Sequence, residues 1–427
     1  MAEVNSSRKA TSEPLQNMQS RVFEGDRTLW IIFTVLIVTS ILVVYSSTAK
    51  MTYEVASNMS LFDALQKQVM YVMMAVFVIF ITHKINHQFI FKWTKVIYLV
   101  CLALTIATFF IGVRTTDAAR WIQIGPVQFQ PSETLKIATI LMLARAMESR
   151  QSVIDKLKIL PTSFKIFKPD QWKIIKENSW PLLGPVFVSC AVIAPAHTSS
   201  ALLVFMASVI MLYIGRVSIK EIVKFVSVIC LIGALGIAGM QAVGTGRAGV
   251  AKVRVTEWYE HWFGNTEASN ISEISDTQRA LIAIHNGGLV GEGAGQSTSR
   301  VLVIHPESDY AYAFFVEEYG LIMALVLLML YLWIFFRAIL IFEGCGTAFP
   351  GLLVLGLALL ITSQALLHIM VTLNLIPETG QTLPLISRGG SSTLFTAIAL
   401  GMMLSVSRQN EEHSHDKPKD QNLTEKG

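Results

Sequence analysis

The chain has 427 residues, 52% of them hydrophobic and 15% charged, with a formal net charge of +4 and a mean hydropathy of +0.52. Soluble domains carry about 25% charged residues, so most of this chain has no polar face for water, and an all-α integral membrane protein is expected. The small net charge gives no support to nucleic-acid binding, and Cys101, Cys190, Cys230 and Cys345 show no pattern of a disulfide framework or zinc site.

The N-terminus is polar through Thr28, and the first apolar run, Leu29 to Val44, has no small-residue cleavage site after it. It reads as a first span rather than a removed signal peptide. A helix needs roughly 20 apolar residues to cross the hydrocarbon core. Spans are predicted near 28–48, 66–84, 93–113, 132–147, 179–197, 199–216, 220–241, 309–338, 349–374 and 389–407. The polar patch His197 to Ser200, after Pro195, divides the fifth span from the sixth. The expected organisation is a cytoplasmic tail over 1–27, a ten-helix core over 28–408 and a second cytoplasmic tail over 409–427.

Basic residues stay cytoplasmic. They cluster in segment 148–178 (Arg150, Lys156, Lys158, Lys165, Lys168, Lys173, Lys176), at Lys84 and Lys92, at Arg216, Lys220 and Lys224, and at Arg337. With ten spans, all of these fall on one side together with both termini. The opposite side then holds the loops near 49–65, 114–131, 242–308 and 375–388. A loop as long as 242–308 is uncommon unless functional or disordered. Trp258, Trp262, Phe263 and a glycine-rich stretch make it too apolar for disorder, so interfacial or re-entrant helix is expected there. No internal repeat supports an inverted-repeat transporter.

Polar residues at membrane depth are expensive and usually functional. Glu133 and Lys136, three apart on one helical face, are either a self-satisfied buried pair or part of a site. Glu317 and Glu318 cannot both face lipid, and structural pairing is the first expectation for them. Ser308 is a good N-cap, which would put Asp309 in the first turn of the eighth span, where the helix dipole keeps a carboxylate ionised. Such a residue is either an ordinary capping aspartate or a general base. The run Gly287-Gly288-Leu289-Val290-Gly291-Glu292-Gly293-Ala294-Gly295 could bring backbone N–H groups to a phosphate, or form a tight turn. Arg388-Gly389-Gly390-Ser391-Ser392 before the last span suits an anion, although Arg388 could simply snorkel. Arg120-Trp121 offers another cation beside an interfacial aromatic.

In chain order, Val44-Tyr45-Ser46-Ser47, Arg120-Trp121-Ile122, Gln130-Pro131-Ser132-Glu133 with Lys136, Gly287-Gly288-Leu289 with Gly291 and Gly293, Ser308-Asp309-Tyr310 before Glu317-Glu318-Tyr319-Gly320, and Leu383-Pro384-Leu385-Ile386-Ser387-Arg388-Gly389-Gly390-Ser391-Ser392 together resemble the SEDS family, which includes FtsW and RodA. The resemblance implies a peptidoglycan glycosyltransferase that uses lipid II, with Asp309 at the family's essential loop aspartate. It implies Asp309 as catalytic residue, and Arg120, Trp121, Glu133, Lys136, Gln278, Arg388 and Ser391 as substrate-binding residues. Gly380-Gln381-Thr382-Leu383-Pro384 favours the cell-division FtsW type over the elongation type. Three positions depart from the family pattern: Ala196 and His305 where it has acidic residues, and Arg388 where it has tyrosine.

The resemblance further implies lipid II and an undecaprenyl-diphosphate-linked glycan as substrates and a class B penicillin-binding protein as partner, with other divisome proteins beside it. The cofactor expectation is Mg²⁺ or Mn²⁺ and no organic group. The expected location is the bacterial cytoplasmic membrane. The rival readings are a lipid II flippase and a scaffold without catalysis.

Overall fold

The structure is a computed structural model and describes residues 24–48, 61–115, 118–124, 127–152, 154, 175–242, 246–263, 276–297 and 309–424. Lipid offers no partner to a free backbone N–H or C=O, so spanning segments close their hydrogen bonds internally as helices. Helices occupy each of the ten expected ranges. They are α1 (Arg27–Thr48), α2 (Leu61–Thr82), α3 (His87–Ile111), α4 (Pro131–Glu148) and α5 (Trp180–Ile193). After them come α6 (Thr198–Ile214) and α7 (Ile219–Ala242). The long loop contributes α8 (Gly246–Phe263) and α9 (Asp276–Gly287). Finally come α10 (Ala311–Glu343), α11 (Ala348–Thr372) and α12 (Gly390–Thr424).

Five of these helices, α1, α3, α10, α11 and α12, are long and apolar enough to cross a membrane, and α2, α5 and α6 hold shorter apolar segments. The protein is a multi-pass membrane protein built around α11. Of the apolar window of α11, 83% is buried, against 22% for α3 and 28% for α10, so α3 and α10 lie on the perimeter. Close approach to the hub is set by Gly356, where an added Cβ would stand 2.5 Å from Met211 Sδ and 2.6 Å from Ile140 of α4.

The connections at one end of the bundle interlock. Arg337 pairs with Asp26, whose carboxylate also caps α1 at the Leu29 N–H (3.0 Å). Glu148 accepts from the Phe349 amide, Ser405 donates to the Ile85 carbonyl, and Arg408 reaches Lys84 O at 3.3 Å. An added Cβ on Gly215 would strike Met147. The basic connections and the described parts of both tails therefore share an end, as the Lys/Arg distribution predicts.

The opposite end departs from expectation in several respects. The loop predicted near 114–131 contains a three-stranded antiparallel sheet, β1 (Val113–Thr115), β2 (Ala118–Ile124) and β3 (Val127–Phe129). β1 and β3 have three residues each, and β2, at seven, runs Ala-Ala-Arg-Trp-Ile-Gln-Ile without strict alternation of apolar and polar residues. The helix of the eighth predicted span, α10, begins later than predicted. Phe314 N donates to Tyr310 O (3.1 Å), so Tyr310 is the N-cap, and Asp309 precedes the helix instead of lying in its first turn. Ser308, the predicted cap, lies outside the described residues. At the basic end, the last helix runs on to Thr424, through most of the segment expected as a tail.

Candidate functional site

The glycine run and the head of α10 form one unit. α10 is interrupted at Gly320, whose φ of 80° and ψ of 171° are not helical. Into this break the glycine run inserts as backbone. Glu292 N donates to Glu317 O (2.9 Å) and Gly293 N to Glu318 O (3.0 Å), while Leu321 N donates to Gly288 O (3.0 Å). A Cβ at Gly291 would lie 2.3 Å from Glu318 O, and one at Gly320 would lie 2.4 Å from Leu289 O. Gly287, Gly291 and Gly320 are therefore needed for contact between two backbones, while Gly288, Gly293 and Gly295 turn the chain at positive φ.

Glu317 and Glu318 are buried at the same break, 0% and 1% exposed. Ser297 donates to Glu317, and Ser46 of α1 donates to Glu318. Glu318 Oε1 also accepts from Gly295 N at 2.9 Å. Both carboxylates thus fasten the loop and α1 to α10, a structural use of adjacent acids.

Asp309 stands half-buried in the turn immediately before α10. α9 packs on this turn through Ala280 and Ala283 against Tyr310 and Ala313. The Tyr310 hydroxyl lies 3.1 Å from Thr277 Oγ1 of α9, beside Gln278, whose side chain is exposed. Burial, reinforced by the carboxylates of Glu378, Asp276 and Asp309, pushes the Tyr310 phenol well above its ordinary value. α8 closes the same end, with Trp258 and Trp262 both donating to Asn374 O (3.2 and 2.8 Å) and Arg254 pairing with Glu378 (3.4 Å).

Lys136 is 1% exposed. Its Nζ lies 2.8 Å from Glu133 Oε2 and donates to Gln364 Oε1 of α11 at 3.0 Å. Gln364 in turn donates to Thr382 O (3.0 Å), and the Thr382 hydroxyl reaches Ser392 Oγ (3.1 Å). The predicted Glu133–Lys136 pair is thereby joined to the loop that carries Arg388. Arg388 is partly buried two residues before Gly390, which opens α12. Ser391, in the first turn of α12, is fully buried with no hydrogen-bond partner for its Oγ. Arg120 and Trp121 lie on β2, with Trp121 opposite Val113 and half-buried. The sheet meets α12 through an edge contact of Phe129 with Phe395 (5.4 Å).

The sequence reading missed His368 and Gln381. His368 Nδ1 lies 2.7 Å from Gln381 O, and its Nε2 accepts from Tyr312 N at 3.4 Å. The Gln381 amide donates to His197 Nδ1 (3.1 Å) and Ser200 Oγ (2.9 Å), so His197 both caps α6 and ties it to this loop. Gln364 and His368, four apart inside the apolar run of α11, were open to the same test that singled out Glu133 and Lys136.

Mg²⁺ is usually held by one or two carboxylates together with phosphate oxygens, not by an all-protein cage. Among the described residues no group of three or more His, Cys, Asp or Glu converges to hold a metal ion. The described donors therefore form no all-protein cage for a metal ion.

A family model described as cell cycle protein, FtsW/RodA/SpoVE, matches residues 26–412. The chain is 26% identical over 396 residues to stage V sporulation protein E of Bacillus subtilis (strain 168), covering 92% of this chain and 99% of that protein. It is equally 26% identical over 396 residues to peptidoglycan glycosyltransferase MrdB of Escherichia coli (strain K12), covering 92% and 94%. A chain from a solved structure described as "Structural coordination of polymerization and crosslinking by a peptidoglycan synthase complex" superposes with a TM-score of 0.63 at 18% identity, covering 90% of this chain and 98% of that one. At that identity the likeness is one of fold.

Proposed function

Because the chain belongs to the FtsW/RodA/SpoVE family of cell cycle proteins, we propose that it is an inverting glycosyltransferase that polymerises lipid II into glycan strands at the outer face of the bacterial cytoplasmic membrane. In this reading the chain crosses the membrane ten times with both termini cytoplasmic, and the end carrying the sheet, α8 and α9 faces outward. The Asp309 carboxylate takes the proton of the acceptor's N-acetylglucosamine 4-hydroxyl. That oxygen attacks the anomeric carbon of the lipid-linked glycan from the side opposite the diphosphate. The anomeric C–O bond breaks, and undecaprenyl diphosphate leaves with the electron pair.

The observation that carries this reading is Asp309 itself, half-buried in the turn leading into the N-terminus of a long helix, on the end where the glycine run, α8 and α9 converge. Helix N–H groups at such a position favour the ionised carboxylate that a general base needs. Charge develops on the diphosphate as it leaves, so fixed donors aimed at it lower the barrier. Arg388, the N-terminal amides of α12 and the Ser391 hydroxyl form the proposed donor set, with Arg120 and Trp121 on β2 and Gln278 on α9 flanking the substrate. The Lys136 charge is already matched by Glu133, so its part is to hold the 375–388 loop through Gln364. Mg²⁺ or Mn²⁺, if bound, would be held largely by the diphosphate's own oxygens and would neutralise their charge.

The role in septal synthesis rests on Gly380-Gln381-Thr382-Leu383-Pro384. A class B penicillin-binding protein, working with other divisome proteins, is the proposed partner that crosslinks the product. A flippase would place charges through the full membrane depth, whereas the described ion pairs Glu133–Lys136, Glu221–Lys224 and Asp26–Arg337 lie near helix ends. The test is lipid II polymerisation by the purified protein, with and without its transpeptidase. Wild type should yield glycan chains, and Asp309→Asn, at unchanged folding, none. Chains made by the Asn variant at wild-type rate would remove Asp309 as the base.

A further inference from the structure

Helix α10 begins without a local cap. Tyr310 occupies the N-cap position and makes no side-chain capping hydrogen bond; its hydroxyl is turned to Thr277 of α9 instead. The first N–H groups of a helix have no partner within it. One of them, the Tyr312 N–H, finds its acceptor on the neighbouring helix at His368 Nε2 (3.4 Å). The other ring nitrogen of His368 lies 2.7 Å from the Gln381 carbonyl. A carbonyl is only an acceptor, so Nδ1 carries the proton and Nε2 presents its lone pair to Tyr312. His368 is 1% exposed, so no water competes for either atom.

Gln381 is held independently. Its side-chain amide nitrogen lies 3.1, 3.0 and 2.9 Å from His197 Nδ1, Ser199 Oγ and Ser200 Oγ, which share its two N–H groups. The Ser199 hydroxyl donates to Thr379 O at 2.8 Å. A continuous strut thus runs from the α5–α6 break through the loop to His368 and ends on the backbone three residues after Asp309. We propose that His368 is a positioning residue, an N-cap supplied to α10 by α11, which fixes the turn that carries Asp309. This rests on the reading of Asp309 as general base; His368 itself touches no reacting atom.

The roles of cap and core filler separate by substitution. His368→Leu fills the space but can neither accept from Tyr312 nor donate to Gln381, whereas His368→Gln carries an amide oxygen out to the level of Nε2 and keeps the acceptor for Tyr312. Polymerisation is measured with the full chain and its transpeptidase, alongside hydrogen exchange of the segment from Asp309 to Phe315. A displaced base of this kind loses about 100-fold in rate. The Leu variant should therefore lose about 100-fold in kcat at little-changed KM, with faster exchange at the head of α10. The Gln variant should recover most of both. Wild-type kcat and exchange in the Leu variant would overturn the proposal. So would a change in KM alone, or a Gln variant as impaired as Leu with lowered thermal stability, which is the signature of a packing role. If wild type makes no glycan, the polymerase reading falls, and exchange alone decides on the cap: faster exchange in Leu but not Gln supports it, and unchanged exchange overturns it.

Discussion

Replacing Lys136 by methionine keeps the length of the side chain and removes its charge and every N–H donor. In the native protein the ammonium is 1% exposed, 2.8 Å from Glu133 and 3.0 Å from Gln364. Without it the Glu133 carboxylate, itself 9% exposed, is left as a buried charge with its cation gone. Removing one partner of a buried pair costs about 3–5 kcal/mol, whereas replacing both partners together is often close to neutral. Lys136→Met should therefore destabilise by about 3–5 kcal/mol, and Glu133→Gln with Lys136→Met should recover at least about 2 kcal/mol of coupling. Denaturant unfolding of the four proteins of this cycle in micelles measures both quantities. Purely additive costs, or a single-variant cost below about 1 kcal/mol, would refute the claim that the pair is buried and mutually dependent, and with it the tie from α4 to the loop before α12.

The glycine run offers a controlled comparison. Gly291 and Gly295 both have positive φ, 90° and 79°, but only at Gly291 would a Cβ strike backbone, 2.3 Å from Glu318 O. Gly295→Ala should lose about 1–2 kcal/mol from backbone strain alone, and Gly291→Ala clearly more in the same unfolding assay; equal losses would mean that close approach does not matter. Cys345 lies in the connection between α10 and α11, where burial raises its thiol above the ordinary range and the Asn410 contact opposes this in part. Since the thiolate is the reactive form, its alkylation near neutral pH should be slow, rising about tenfold per pH unit and still climbing beyond the pH where an ordinary thiol levels off. A plateau near pH 8.5 would contradict that burial.

The positions of the spanning helices were legible in the amino-acid sequence, as was the gathering of the basic connections at one end of the bundle. Long apolar runs have no low-energy state in lipid other than helix, and the Lys/Arg loops needed no tertiary contact to be sorted to one end. Pro195 and the His197–Ser200 patch were enough to part α5 from α6, because capping and helix breaking act within a turn. Glu133 and Lys136 were legible as a pair because three-residue spacing brings side chains together on any helix. Packing, by contrast, settles where polar groups from distant segments meet. Lys136 and Gln364 are 228 positions apart in the chain, and no local pattern encodes their hydrogen bond. The glycine run announced a close approach but not its partner, since that partner is backbone, which carries no sequence signature. Likewise Tyr310 gave no sign of being an N-cap. The group that satisfies the N–H of Tyr312 comes from α11, and only packing could bring it there.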